Sequence, residues 1–211
     1  MPTTPIISAP VAGSSTFNKT PRVLITAGTE TDGAKMNPRI LNAAGSTVTT
    51  GFSSTGLSNS GKTVYKHSSS VTDGSKTLIV DMQDAGFTTA YSDGQSVTFV
   101  VENLSITDFP VTAGTTHVKA THMNELQNAI NKVRAYYGLN SYAFSAITGG
   151  TTKIKDWATH LNQMRTAINE IITYINSYDS TNTTNDVSVN WITLNNNNPN
   201  AAAINQIYTV L

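Results

Sequence analysis

Gly56-Leu57-Ser58-Asn59-Ser60-Gly61-Lys62-Thr63 has the spacing of a phosphate-cradling loop, and Leu78-Ile79-Val80-Asp81 looks like an apolar strand ending in a magnesium-binding aspartate. Such a loop works only between a buried strand and a helix N-terminus, where backbone N–H groups and the helix dipole meet the anion. Ser46-Thr47-Val48-Thr49-Thr50 before it is too polar for a central parallel strand, and Val64 to Ser70 after it carries no helical stripe. The interval from Thr63 to Leu78 is also too short for a strand–helix–strand unit, which takes ~30 residues or more. The segment reads as a Ser/Gly-rich loop, and no cofactor is expected.

His122 and His160 stand at equivalent places near the start of two predicted helices, with Glu125 one turn after His122. A metal centre needs several convergent ligands, and the second copy has Gln163 where the first has Glu125. These histidines read as helix-start packing or capping groups, while His67 and His117 are isolated. Asp81 and Asp84 would bind calcium at a sandwich edge only with about six to eight oxygens, most of them from elsewhere. No metal site is expected. Without cysteine, disulfides, zinc ribbons and thiol chemistry are excluded. The chain has no His-Glu-x-x-His and no Gly-x-Ser-x-Gly, and no enzyme is expected.

Aromatic residues are the remaining candidates. Tyr136, Tyr137, Tyr142, Phe144, Trp157 and Trp191 gather around predicted helix ends and connectors. With nearby Asn and Asp they could hold sugar rings or a protein partner, and Tyr136, Tyr137, Tyr142, Trp157 and Trp191 are the contact candidates. The competing reading packs Phe144, Trp157 and Trp191 into a core, with Phe109 doing the same for the first repeat. It is the stronger one, because Phe109, Phe144 and Trp191 each come shortly before a Val-Thr or Ile-Thr pair.

The elements that position these residues are written in repeats. Asn124-Glu125-Leu126-Gln127-Asn128-Ala129-Ile130 returns as Asn162-Gln163-Met164-Arg165-Thr166-Ala167-Ile168 and again as Asn205-Gln206-Ile207-Tyr208-Thr209-Val210-Leu211. The copies begin 38 and 43 residues apart, the period of a helical unit that buries its apolar face only by stacking on its own copies. Met123, Leu126, Ile130, Val133 and Tyr137 step by threes and fours, as do Leu161, Met164, Ile168, Ile171 and Ile175, then Ile204, Ile207 and Leu211. That spacing puts one apolar stripe on each helix, with Asn, Gln, Arg and Lys on the solvent side. Helices are predicted near 121–137, 158–176 and 201–211, the first closed by Gly138.

Ahead of the repeats the pattern changes. Pro5-Ile6-Ile7, Val23-Leu24-Ile25, Lys76 to Val80 and Ser96 to Val101 are short apolar bursts, divided by Gly, Ser, Thr and the turn pairs Asp32-Gly33, Asp73-Gly74 and Asp93-Gly94. The fold class is therefore α+β and multidomain. Residues 1–107 form an antiparallel β-sandwich, Ig-like or fibronectin-III-like, and residues 108–211 a three-helix bundle of repeated helices. The Asn-rich runs at 182–185 and 195–200 read as surface loops.

Charge narrows the partners. The 13 Lys and Arg balance 13 Asp and Glu, which leaves no electrostatic footprint for nucleic acid and no basic patch for an anionic membrane. No apolar run approaches the ~20 residues of a membrane span. Met1-Pro2-Thr3-Thr4-Pro5 lacks the charged and apolar regions of a secretory signal, although the Thr-, Ser- and Asn-rich composition suits a protein outside cells.

Thr112-Ala113-Gly114-Thr115-Thr116-His117-Val118-Lys119 through Ala129-Ile130, and Lys153-Ile154-Lys155-Asp156-Trp157 through Ala167-Ile168, resemble repeats of bacterial and prophage-encoded surface or virion proteins, where they follow fibronectin-like or Ig-like modules. The resemblance spans about half the chain and brings no catalytic residues. It implies a non-enzymatic bacteriophage virion accessory protein, decorating the capsid or associated with the tail. Its partners would be other virion proteins, in many copies and as a homo-oligomer on the particle, and its location the virion released by lysis. The alternative is a carbohydrate-binding or adhesive module of a bacterial surface protein, with a cell-surface glycan as partner.

Overall fold

A computed structural model of the chain describes residues 4–28, 35–48, 52–53, 62–83, 94–113, 118–147, 154–178, 187–194 and 201–211. The glycines of the loop-like motif, Asp84, His117, Asp32-Gly33 and the two Asn-rich runs lie outside the described residues. The described residues of the first half build two four-stranded sheets. One runs β1 (Ile6–Ala9), β3 (Arg22–Thr26), β6 (Lys62–His67), β5 (Phe52–Ser53), all antiparallel. The other runs β2 (Ser15–Thr16), β8 (Gln95–Val101), β7 (Gly74–Gln83), β4 (Lys35–Asn42), with β2 parallel to β8 and the rest antiparallel.

The apolar bursts predicted as strands became β1, β3, β7 and β8. The strand β4 escaped the sequence reading because Pro38 interrupts it; proline cannot donate to a ladder and is tolerated at a sheet edge, which is where β4 lies. In β7 the alternation is clear. Leu78, Val80 and Met82 are fully buried while Thr77 and Ile79 are half-buried, as one covered face requires.

The strand β3 behaves differently, since Val23, Leu24 and Ile25 are all fully buried. Neighbouring residues of a strand point to opposite faces, so both faces of β3 are covered. Register places Leu24 beside Val64, and Val23 and Ile25 beside Tyr65 and Thr63. Thr26, on the Leu24 face, hydrogen-bonds Tyr178 at the end of the second helix. Val23 and Ile25 turn the other way, in the same buried cluster as Met36, Ile40, Leu78 and Phe99 of the second sheet.

Among the described residues three helices follow: α1 (Ala120–Tyr136), α2 (Ile154–Tyr178) and α3 (Ala201–Val210). The first ends as predicted at Gly138, whose φ is 72°. There Gly138 N–H donates to Ala135 O and Leu139 N–H to Arg134 O, the paired bonds of a left-handed glycine cap. The second helix starts four residues earlier and ends two later than the predicted 158–176.

The apolar stripes of α1 and α2 each serve two cores. Met123, Leu126 and Ile130 of α1 pack with Leu161, Met164 and Ile168 of α2 and with Ile204 and Ile207 of α3. Further along the same stripes, Val133 of α1, Tyr137 just past its end, and Ile171 and Ile175 of α2 join the buried cluster of the sheets. The Tyr136 hydroxyl donates to Arg22 O at 3.0 Å, and the Tyr178 hydroxyl lies 2.7 Å from Ser8 Oγ and 2.9 Å from Thr26 Oγ1. Two helix ends thus sit on the strands, and residues on both sides of position 107 share one core.

Candidate functional site

Three connectors with neither helix nor strand accompany the helices: residues 104–113 ahead of α1, 139–147 after α1 and 187–194 ahead of α3. Backbone outside helix and strand still has N–H and C=O groups to satisfy. A primary amide carries one acceptor and donors at the right separation to satisfy both at once. Asn131 accepts from Tyr142 N–H at 2.8 Å and donates to Tyr142 O at 3.3 Å. Asn176 holds both groups of Val187 at 2.9 Å. Asn205 accepts from Val111 N–H at 3.0 Å and donates to Val111 O at 2.9 Å.

A second grip comes from the other side. Glu125, Gln163 and Gln206, the second residue of the phrase in every copy, accept from the backbone N–H of Thr107, Ser145 and Ile192 at 2.8, 3.0 and 3.0 Å. Two buried arginines add to it: Arg134 Nε donates to Asn140 O, and Arg165 Nη2 to Ile192 O. Arg134 also reaches Ala167 O and the Glu170 carboxylate, tying α1 to α2. The polar residues assigned to a solvent face are thus corrected in part: Gln127, Arg134 and Arg165 are buried, the two arginines against connector carbonyls.

The grips close into a ring. The second connector is held by α1 (Asn131, Arg134) and α2 (Gln163), and the third by α2 (Arg165, Asn176) and α3 (Gln206). Among the described residues no helix precedes the first connector. There α3 supplies the missing side, through Asn205 on Val111, Tyr208 hydroxyl on Leu104 O at 3.1 Å, and a 4.5 Å stack of Tyr208 on Phe109.

The five contact candidates do not converge on one surface. Tyr136 and Tyr137 are buried between α1 and the sheets, in edge contact with each other, and Tyr136 also meets Phe99. Burial raises both phenols, Tyr137 to about 12. Trp157 is buried in the helical core. These three rings are covered, whereas a stacking platform needs an open ring face. Tyr142 and Trp191 are half-buried on their connectors. Each has a guanidinium over its ring, Arg134 at 5.6 Å and Arg165 at 5.2 Å, and Trp191 Nε1 donates to Asn169.

The other sequence candidates hold structural posts. His122 is buried, and its Nδ1 accepts from Lys119 N–H at 3.1 Å, capping the start of α1. His160 is buried one turn beyond Asp156, and desolvation lowers its pKa. His67 Nδ1 lies 2.6 Å from Ser69 O, with its ring edge-on to Phe52. Lys62 and Thr63, the end of the loop-like motif, open β6 and not a helix. Asp81 is held at 3.0 Å through both oxygens by Arg39. Lys76 is buried, and its Nζ donates to the carbonyls of Asp73, Gly74 and Ser75; desolvation lowers its pKa. Among the described residues no three His, Cys, Asp or Glu side chains gather to hold a metal ion, and no helix is long and apolar enough to cross a membrane.

The clamp asparagines were missed in the sequence, although a signal existed. Asn131 and Asn176 fall seven and fourteen residues after the leading Asn of their copies, two and four turns along one helix face. Compared with known protein families and with curated proteins, the chain matches none.

Proposed function

We propose that this protein is a non-enzymatic structural component of a bacteriophage virion, an accessory protein of capsid or tail that mediates attachment or stabilises the particle surface. One observation carries the reading: the helix ends are fixed onto the sheets by the buried hydroxyls of Tyr136 and Tyr178. A body joined in this way passes force from a docked end to a projecting end without a hinge at the join.

The first half is read as an Ig-like sandwich. Its support is strand order: β1-β3-β6-β5 follows the A-B-E-D sheet and β8-β7-β4 the G-F-C sheet, with β2 as an added edge strand. The second half is read as three stacked repeats, supported by the equivalent grips of Glu125, Gln163 and Gln206.

The test is composition of particles. Particles purified from a lysate of the source culture should contain this chain at a fixed ratio to the major capsid protein by quantitative mass spectrometry. Absence from particles, with the chain in the cell-wall or medium fraction, would overturn the reading. It would leave the adhesive, carbohydrate-binding module, which the half-exposed Trp191 and Tyr142 favour. Glycan-dependent fluorescence lost in Trp191→Phe would then support that alternative.

A further inference from the structure

We infer that α3 is an exchangeable latch: it can close the helical ring of a second copy of this chain in place of its own. The ring is completed where the last repeat meets the first, through Asn205 on Val111, Tyr208 on Leu104 and Phe109, and the fully buried Ala203, Ile204 and Ile207. The grips on the first connector come from side chains of a helix 94 residues away in the chain.

With 10 residues, α3 is shorter than the ~12–15 at which isolated helices become even marginally stable in water. It is therefore helical when seated, whichever copy offers the seat. Seated in a neighbour it makes the same two amide bonds, the same ring stack and the same apolar contacts, which is why exchange of identical elements is a low-cost route to oligomers. Only the tether favours the copy's own seat. Between the third connector and α3 lie residues 195–200, a reach of at most ~20 Å, so the intramolecular advantage is an effective concentration of order mM. Chains crowded to that density exchange latches and become tied to one another, while dilute chains remain closed. The crowded setting rests on the proposed virion role; the exchange itself does not, and is tested on purified chain.

The chain has no cysteine, so thiols can be placed without background. One preparation carries Phe109→Cys and another Tyr208→Cys. They are mixed, unfolded, refolded together at ~1 mM and oxidised. Exchange predicts an interchain disulfide several-fold above that of Phe109→Cys mixed with Ile6→Cys, whose side chain is exposed on β1. Cross-linking no greater than this control, while the double variant closes its disulfide within one chain, overturns the inference. Should either variant fail to fold, light scattering on the unaltered chain decides it. A dimer at ~1 mM that dilution returns to monomer is expected, and a monomer at every concentration refutes exchange. Finding the chain absent from virions would leave both readouts untouched.

Discussion

The join between helices and sheets can be weakened by removing one oxygen atom. Tyr178→Phe keeps the ring against the sheet and removes the hydroxyl that meets Ser8 and Thr26 at 2.7 and 2.9 Å. Each hydrogen bond is worth ~0.5–1.5 kcal/mol net, and the two serine and threonine hydroxyls left behind can partly turn to other partners. The expected cost is about 1–2 kcal/mol, a fall in Tm of about 2–8 °C for a chain of this size. Tyr178→Ala also removes the buried ring and should cost about 3–5 kcal/mol. The assay follows urea unfolding with two reporters. Trp157 and Trp191 report on the helical half by fluorescence, and amide exchange along β3 reports on the sheet. If the shared core binds both halves, the two transitions coincide in the unaltered protein and Tyr178→Phe moves them together. Separate transitions, or a β3 that ignores Tyr178→Phe while the helices respond, would refute the argument that one core spans both halves.

Asn205→Ala strips both groups of Val111 and should cost about 1–3 kcal/mol, read as faster amide exchange at Val111. Asn124→Ala, at the same place in the first copy but exposed, should stay within about 0.5 kcal/mol. Arg39→Met leaves the Asp81 carboxylate, whose side chain is 10% exposed, without its fork; about 2–3 kcal/mol is expected in denaturant midpoints. Asp81→Asn leaves the Arg39 charge instead, which is 29% exposed, and should cost less. Burial holds His160 below its ordinary 6.5, so the unfolded chain takes that proton first. Stability present above pH 6.5 should therefore fall as pH descends toward the folded value, a shoulder that His160→Gln removes. Glu102 and Asp108, lowered by their bonds to Lys132 and Lys119, lose their contribution only below 4.5 and 3.8. Tyr137, raised to about 12 from 10.0, works in the opposite direction. Its contribution is intact below pH 10 and is lost as pH rises toward the folded value.

Local periodicity was enough to place α1, α2 and α3, because a helical stripe is a property of neighbours three and four residues apart. It was enough for β7 and β8, where one face is covered and alternation survives. It failed for β4, where Pro38 mimics a loop until the strand is seen at an edge, and for Lys62 to His67, whose Lys-Thr start imitated a phosphate loop. Tyr136, Tyr137 and Trp157 drew attention as aromatics at helix ends, but burial is a sum over distant segments that no window of sequence contains.

The sequence by itself determined the α+β character, the helix positions, the Gly138 cap and the threefold repetition of Asn-(Glu/Gln) phrases, since each depends on residues within a few turns of one another. Only the tertiary structure decided where the stripes lead. Val133 and Ile171 look no different from Leu126 and Leu161 in their spacing, yet the first pair lies against the sheets and the second among the helices. Hydrophobic burial is non-directional, so a stripe specifies that it will be covered and leaves open by what. The asparagine clamps are the converse case: Asn205 and Asn124 share a phrase position, and only the arrival of Val111 from 94 residues away separates a clamp from a solvated side chain.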